Sequence, residues 1–526
     1  MENKNQVFLP FWLTLFLVGG LFIGYKISPG TIFTSGQERY SKLRDVIEIL
    51  DNNYVDSVNK EEIFDKTIAD LLHNLDPHSG YISASDLQYA TERKEGHFGG
   101  IGVRFTMLRD TLCITNVVQN SPSMKVGVLA GDKIIKVDGK TIAGKKMRSD
   151  DIMKLLKGEK GTAVKVVILR GKEQLNKTII RGTIPVETVI AAFMVDHSTG
   201  YIRLEEFSDL SDEEFSFALK KLKKQGMNKL IFDLRNNSGG VLGAAANIVD
   251  EFLPAGKVIV TTKGRNYKSE AYKSTGKGIA EDIKVVVLIN ENSASASEIV
   301  AGALQDNDRA TIIGRRSFGK GLVQQDIGLK DGSNLRLVVA RYYTPTGRSI
   351  QKPYEKGYDE YQQDYLQRYE NGELFHIDST LMVDSLKYKT PKGKIVYGGG
   401  GIMPDIFIPL DTARTSWYFS ELRYNGAFQG FAFDYLKDKR SEWKNMYEFK
   451  NKFVVTDALL NEFINYAERE MLVVKKPKDL VASKELIKET LKAEIARQLW
   501  TEQGYLYMNY QTDHEILKGM EVLKSN

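Results

Sequence analysis

Apolar and polar positions alternate along this chain in several distinct regimes. Val7 to Tyr25 is a charge-free run of 19 residues rich in Leu, Phe and Val. As a helix it rises about 28 Å, close to the hydrocarbon thickness of a bilayer. From Gln37 to about Gly96 the apolar positions return at helical spacing, with Leu43, Ile47 and Leu50 on one face and Ile63, Ile68, Leu71 and Leu72 continuing it. At His97 the pattern changes to short alternating strands and turns, FGGIGVRF, LCITNVV, KIIKVDGK and AVKVVILRG, which predict a small β-rich domain. From Tyr201, buried-type apolar strands alternate with helices through KLIFDL, GAAANIVDEFL, IKVVVLIN, SEIVAGALQD, ATIIG, LVQQDIGL and LRLVVARYY. That alternation predicts βαβ units on a mainly parallel sheet. A polar, Tyr-rich stretch from Lys352 to Val396 reads as an insertion, and after Leu410 helical spacing resumes, as in Ile487, Leu491, Ile495 and Leu499. The expected division is therefore an anchor and linker over 1–36, a helical module over 37–96, a β-rich domain over 97–183, an α/β core over 184–410 with an excursion at 352–396, and a helical region over 411–526.

The first run reads as an uncleaved signal anchor that crosses a membrane once. No A-x-A-like site follows it, and Lys26 and Pro29 close it abruptly; a cleaved signal peptide and a buried helix are the other readings. Glu2, Lys4 and Lys26 are too few to set its orientation. Composition narrows the rest. A length of 526 residues suggests three or four compact units, and 42% apolar with 27% charged residues excludes a disordered, collagen-like or multi-span chain. The net charge of +5 makes no case for nucleic-acid binding. One cysteine, Cys113, excludes an intramolecular disulfide and Cys-based metal sites, and between Leu112 and Ile114 it reads as core packing.

Chemistry concentrates after the strand VVVLIN, where NSASASEIVAGALQD begins. A small-residue turn there puts Ser295 at the carboxyl end of a strand and the amino end of a helix, where free N–H groups gather. Such a serine suits nucleophilic attack, with the N–H of Ala296 facing the oxyanion. Ser295 and Glu298 also have the spacing of a capping box, and the segment alone does not decide between the two roles. The six histidines fall in no recognisable catalytic motif, and there is no H-E-x-x-H zinc site. Lys320, between Gly319 and Gly321, is the alternative base: flanking glycines permit close backbone approach, and burial lowers a lysine pKa. Gln324 is placed to orient the amine, while a solvated hairpin lysine is the plain alternative. Gly314-x-x-x-x-Gly319-Lys320 imitates a phosphate loop but continues with Gly321 rather than Ser or Thr and precedes a strand. In DLRNNSGG, Gly239 and Gly240 are positioned to aim N–H groups at an oxyanion; Ser238 is a turn residue, and Asp233 and Arg235 fix the turn. The loop Gly99, Gly100, Ile101, Gly102, Val103 opens a strand, so it fits either a plain turn or capture of a peptide carboxylate with strand pairing.

Taken together, LDPHSGYIS, FGGIGV followed by SPSMKVGVLAGDKIIKVDG, DLRNNSGG, NSASASEIVAGALQD, RSFGKGLVQ, ARYYTPTGRSIQ and GGIMPD resemble, in order, the carboxyl-terminal processing peptidases, or tail-specific proteases. The resemblance implies a multidomain α/β chain: a crotonase-like α/β peptidase core, a PDZ-like β domain, a helical N-terminal module and a helical C-terminal region. It implies a serine–lysine endopeptidase with Ser295 as nucleophile, Lys320 as base and Gln324 orienting it, and no cofactor or metal. Ala296 and the Gly239-Gly240 turn would supply the oxyanion donors, and residues 99–103 would receive the C-terminus of a protein substrate. The expected setting is the bacterial cell envelope, anchored in the inner membrane with the catalytic domain in the periplasm. Ser238 stands where the family often has proline. The excursion and the region after Leu410 lie outside its best-marked motifs, with control of access or homo-oligomerisation as the expectation for them. A catalytically silent PDZ scaffold and a crotonase-type acyl-CoA enzyme are the rival functions.

Overall fold

The computed structural model describes residues 37–525 except 379 and 381, together with Thr14. Apart from Thr14, the apolar run 7–25, and with it the expected anchor, lies outside the described residues. Among those described, no helix is long and apolar enough to cross a membrane. The chain divides after Leu72 into two units. In the first, Gln37–Asn53 is helical and 60–72 forms most of the helix Lys60–His73, whose Ile63, Phe64 and Leu71 are exposed.

In the second unit, an antiparallel sheet runs in the order Val103–Leu108, Thr111–Val117, Lys133–Val137, Ala163–Arg170, Glu173–Ile180. Its inward residues, among them Leu112, Ile114, Ile134, Val164, Ile168 and Ile179, close a core with Ile152 and Leu156 of the helix Ser149–Leu156. The chain enters and leaves this domain on one two-stranded ribbon, His97–Gly100 against Gly182–Pro185.

The central sheet has the order Val189–Met194, Thr199–Leu204, Lys229–Asp233, Lys284–Ile289, Ala310–Gly314, Ile406–Phe407, parallel throughout except for the first pair. Both faces are covered, which is why these strands read as continuous apolar runs. Leu230, Phe232, Val285, Val287, Ile289 and Ile312 point toward the helices Ser211–Lys224, Leu242–Asp250 and Ala296–Asp306. The alternate residues Ile231, Val286, Leu288 and Ile313 pack on Ile516 and Leu523 of the chain's last helix, His514–Ser525.

One expectation is corrected. LVQQDIGL and LRLVVARYY are not steps of the βαβ alternation: Leu322–Gly328 and Asn334–Tyr343 form an antiparallel hairpin in a second sheet with Val258–Lys263, Glu270–Lys273 and Gly80–Ile82. The connection between them is too short for a parallel crossover, and Asp331-Gly332, with Gly332 at φ 88°, makes the turn. The excursion carries the short helices Tyr358–Gln362 and Asp364–Glu370 and the hairpin Lys387–Lys389 with Ile395–Tyr397. The helical region has its own aromatic core, in which Phe428, Phe431, Phe449 and Phe463 pack with Ile487, Leu491 and Ile495. It also meets the PDZ-like sheet, where Phe433 closes on Leu108 and Cys113 and Arg109 reaches Asp434 at 2.7 Å.

Candidate active site

The strand Lys284–Ile289 is buried after its first residue and delivers the chain into a turn whose side chains bond inward. Ser293 Oγ donates to the Leu234 carbonyl at 2.8 Å, while Ala294 N–H and Ser297 Oγ both donate to the Asn237 carbonyl, at 3.0 and 2.8 Å. These bonds hold the serine turn against the glycine turn. Ser295 emerges with φ 53° and ψ −113°, a left-handed backbone that costs a non-glycine residue free energy and so requires the surroundings to impose it. It caps the fully buried helix Ala296–Asp306, of which Ala296 supplies the first N–H, a group without an intrahelical acceptor. One half of the capping box forms alongside, with Ser295 N–H donating to the Glu298 carboxylate at 2.8 Å.

Gly239 lies directly against this serine. It has φ 101°, and a Cβ added to it would come within 2.7 Å of Ser295 Cβ and 2.9 Å of Ala296 N. A Cβ on Gly240 would strike the Phe207 carbonyl at 2.0 Å. Of the two turn amides, Gly239 N–H already donates to Asn237 Oδ1 at 2.8 Å. Gly240 N–H has no acceptor among the described residues. The turn is rooted in a buried ion cluster in which Asp233 accepts from Tyr201 Oη at 2.6 Å and from the Arg235 backbone N–H at 2.9 Å, and pairs with the Arg235 guanidinium. Burial alone would raise the Asp233 carboxyl, but Arg235 and Arg203 hold it down at about 2.

Lys320 occupies a crowded loop. A Cβ on Gly319, φ 89°, would sit 3.1 Å from Gly401 N and Lys352 Cβ, and one on Gly321 would sit 3.0 Å from Gln351 N, so the close chain approach expected of the glycines is present. Lys320 Nζ donates to Gln324 Oε1 at 2.9 Å, and Gln324 Nε2 donates to the His78 carbonyl at 2.6 Å. Among the described residues, no carboxylate is ion-paired with that amine. Burial lowers the Lys320 pKa and the Arg336 charge lowers it further, against weaker upward pulls from Glu298 and Asp76.

Two side chains with no catalytic assignment from sequence stitch the serine and lysine loops together. Glu298, assigned there only to a cap, is fully buried and receives Ser317 Oγ at 2.6 Å, Gly319 N–H at 2.7 Å, and both Ser295 N–H and Lys320 N–H at 2.8 Å. Tyr342 Oη donates to the Ser295 carbonyl at 3.0 Å and also bonds the Lys320 carbonyl. His78 is a third addition: its Nε2 lies 2.7 Å from Tyr361 Oη, and burial, with the Lys320 charge, pushes its imidazole down to about 3, so it is neutral near pH 7. Tyr342 and His78 lie within the segments ARYYTPTGRSIQ and LDPHSGYIS, but nothing in those segments assigns them a role at the site; the hairpin, and the strand Gly80–Ile82 paired with it, bring them in.

The structure thus brings Ser295, Ala296, Gly239 and Gly240 into one loop pair, and Glu298 and Tyr342 join that pair to the loop of Lys320 and Gln324. Residues 99–103 lie elsewhere. Gly99 and Gly100 belong to the ribbon, where a Cβ on Gly99 would meet the Gly158 carbonyl at 2.1 Å. Ile101 and Gly102 turn the chain, their carbonyls accepting from Ser123 and Val118 N–H at 3.0 Å, and Val103 opens a strand on the edge of its sheet.

Comparisons with known proteins match both regions. The family model for peptidase family S41 matches residues 198–359, the PDZ domain model matches 99–180, and a family of unknown function matches 418–501. The chain is 36% identical over 350 residues to the carboxy-terminal-processing protease of Bartonella bacilliformis, covering 64% of this chain and 80% of that one. It is 33% identical over 330 residues to a probable CtpA-like serine protease of Staphylococcus haemolyticus, covering 62% of this chain and 65% of that one. Among solved structures, the photosystem II D1 C-terminal processing protease is 30% identical, with 59% of this chain and 84% of that one aligned at a TM-score of 0.34. The chain belongs to the carboxy-terminal-processing protease family and is a serine protease of multidomain α/β build with a PDZ domain.

Proposed function

We propose that the protein cleaves peptide bonds with Ser295 as nucleophile and neutral Lys320 as general base. The observation that carries this reading is the environment of Lys320: a half-buried amine bonded to a neutral amide, Gln324, rather than to a carboxylate. Burial disfavours the ammonium, and an amide oxygen can accept from an amine without demanding that it be charged. Ser295 Oγ attacks the carbonyl carbon of the substrate as its proton passes to Lys320 Nζ, and Ala296 and Gly240 N–H stabilise the oxyanion. The C–N bond breaks as Lys320 returns the proton to the leaving amine. Water then hydrolyses the acyl-enzyme with Lys320 again as base. Gly239 contributes space rather than a donor, since its amide is engaged.

The free C-terminus of a protein substrate is received at residues 99–103, with the edge strand Val103–Leu108 available for pairing. The charge-free run 7–25 anchors the enzyme in the inner membrane of a bacterial envelope with its catalytic domain in the periplasm. The test is digestion of an unstructured protein with an apolar C-terminus by wild type and Ser295→Ala. Loss of cleavage by about 10³-fold or more is expected of the variant; equal cleavage overturns the assignment. Amidating the substrate's C-terminus should raise KM more than it lowers kcat, and an unchanged KM would remove the tail-binding role of 99–103.

A further inference from the structure

The matches to the peptidase and PDZ models end at residues 359 and 180, and the last helix, His514–Ser525, lies outside both. It nevertheless reaches the site from behind. Its apolar face lies on the central sheet, which places its first turn beside the carboxyl ends of the parallel strands, where the three site loops begin. There Glu515 accepts from two arginines at once, Arg235 Nη1 at 2.8 Å and Arg315 Nη1 at 2.9 Å. Arg235 opens the turn that carries Gly239 and Gly240, and its guanidinium is shared with Asp233 and with Asp513, the latter at 2.9 Å. Arg315 opens the loop that carries Lys320, and its Nε donates at 2.8 Å to Glu291, which opens the loop that carries Ser295. The side chains of Arg235 and Arg315 are only 9% and 7% exposed, so solvent screens these pairs weakly.

We propose that Glu515 is a positioning residue for peptide hydrolysis, its carboxylate tying Arg235 to Arg315 and so holding the oxyanion turn, the serine loop and the lysine loop in mutual register. This rests on the Ser295–Lys320 reading. The chemistry explains why one carboxylate matters to three loops. Each loop leaves its strand independently, and Glu515 is bound directly to two of their roots and to the third through Arg315. With a neutral amide in its place, two buried guanidinium groups lose their common anion and the loop roots are free to shift. Displacements of about 1 Å at a reacting group cost on the order of 10²-fold in rate.

The experiment compares full-length wild type, Glu515→Gln, Glu515→Asp and Ser295→Ala on one peptide substrate, with labelling of the site by a serine-reactive phosphonate and a thermal melt for each. Glu515→Gln is expected to lower kcat by about 10- to 100-fold, to slow phosphonate labelling in parallel, and to leave KM and the melting midpoint near wild type. Glu515→Asp is expected to recover part of the loss. Glu515→Gln with wild-type kcat, while Ser295→Ala is inactive, overturns the positioning role alone. Ser295→Ala with wild-type activity overturns the nucleophile reading whatever Glu515→Gln does. If Glu515→Gln melts early, Asp513→Asn, which relaxes only the Arg235 side, is measured by the same criteria, and wild-type kcat in it overturns the proposal.

Discussion

At Lys320, burial and the Arg336 charge act in the same direction, and the consequence is signed. Both disfavour the ammonium, so the amine loses its proton below the ordinary lysine value of 10.5. The kcat/KM of the proposed enzyme therefore rises with pH through that lowered pKa and levels off beyond it. In the same interval the folded chain binds fewer protons at Lys320 than the unfolded chain, so stability rises with pH as well. A pH–rate profile that is flat, or that falls from neutral to alkaline pH, would contradict the assignment. Lys320→Arg should fold but cleave nothing, because a guanidinium stays charged. His78 adds no limb near pH 6 to 7, since its imidazole takes up a proton only at about 3. At this scale the sequence was legible where local spacing fixes a backbone setting: Ser295 stands before a helix and Lys320 in a loop of tightly approached glycines, as expected. It was silent where a main-chain group does the work: Gln324 is oriented by the carbonyl of His78, and a carbonyl has no signature in a sequence.

Among the elements, the hairpin of Leu322–Gly328 and Asn334–Tyr343 does more for the site than its apolar alternation suggested. It supplies Gln324 from one strand and Tyr342 from the other. The Tyr342 hydroxyl bonds carbonyls of both the serine and the lysine segments, so Tyr342→Phe leaves the Lys320 carbonyl without its donor, while the Ser295 carbonyl keeps the N–H groups of Glu298 and Ile299. A stability loss of about 1–3 kcal/mol is expected in denaturant melts, together with a fall in kcat; unchanged values for both would show the hydroxyl to be idle. The parallel strands were readable because burial on both faces writes itself as continuous Val, Ile and Leu. The hairpin was misplaced because an apolar strand looks the same in either sheet, and only the short Asp331-Gly332 connection told them apart. The excursion was opaque for a different reason. Its buried Arg368 donates to the carbonyls of Arg316, Ser317 and Phe318 at 3.0–3.2 Å, bracing the loop that leads into Lys320, and a polar composition conceals such a role.

Over the second unit as a whole, the helical region after Leu410 touches both partners of the proposed reaction: the central sheet through its last helix and the PDZ-like sheet through Phe433. The second junction is small and its parts are unequal. Arg109 and Asp434 are each more than a third exposed, so Arg109→Ala should cost about 0–1 kcal/mol. Phe433 is 5% exposed in a cluster of three residues, and Phe433→Ala should cost about 2–3 kcal/mol, below a deep-core phenylalanine because so few neighbours close around it. Hydrogen exchange should then quicken in Val103–Leu108 and Thr111–Val117 before it quickens in the central strands; uniform quickening would mean that the junction and the core open together. The third member of that cluster is Cys113, the single thiol of the chain, held protonated by burial that pushes it up to about 11. Reagents that attack thiolates reach it only when the PDZ-like sheet parts from Phe433. The rate of its alkylation is thus a clock for that parting, built into the unmodified protein, and adding a substrate tail to the reaction would time whether peptide capture loosens the joint or locks it.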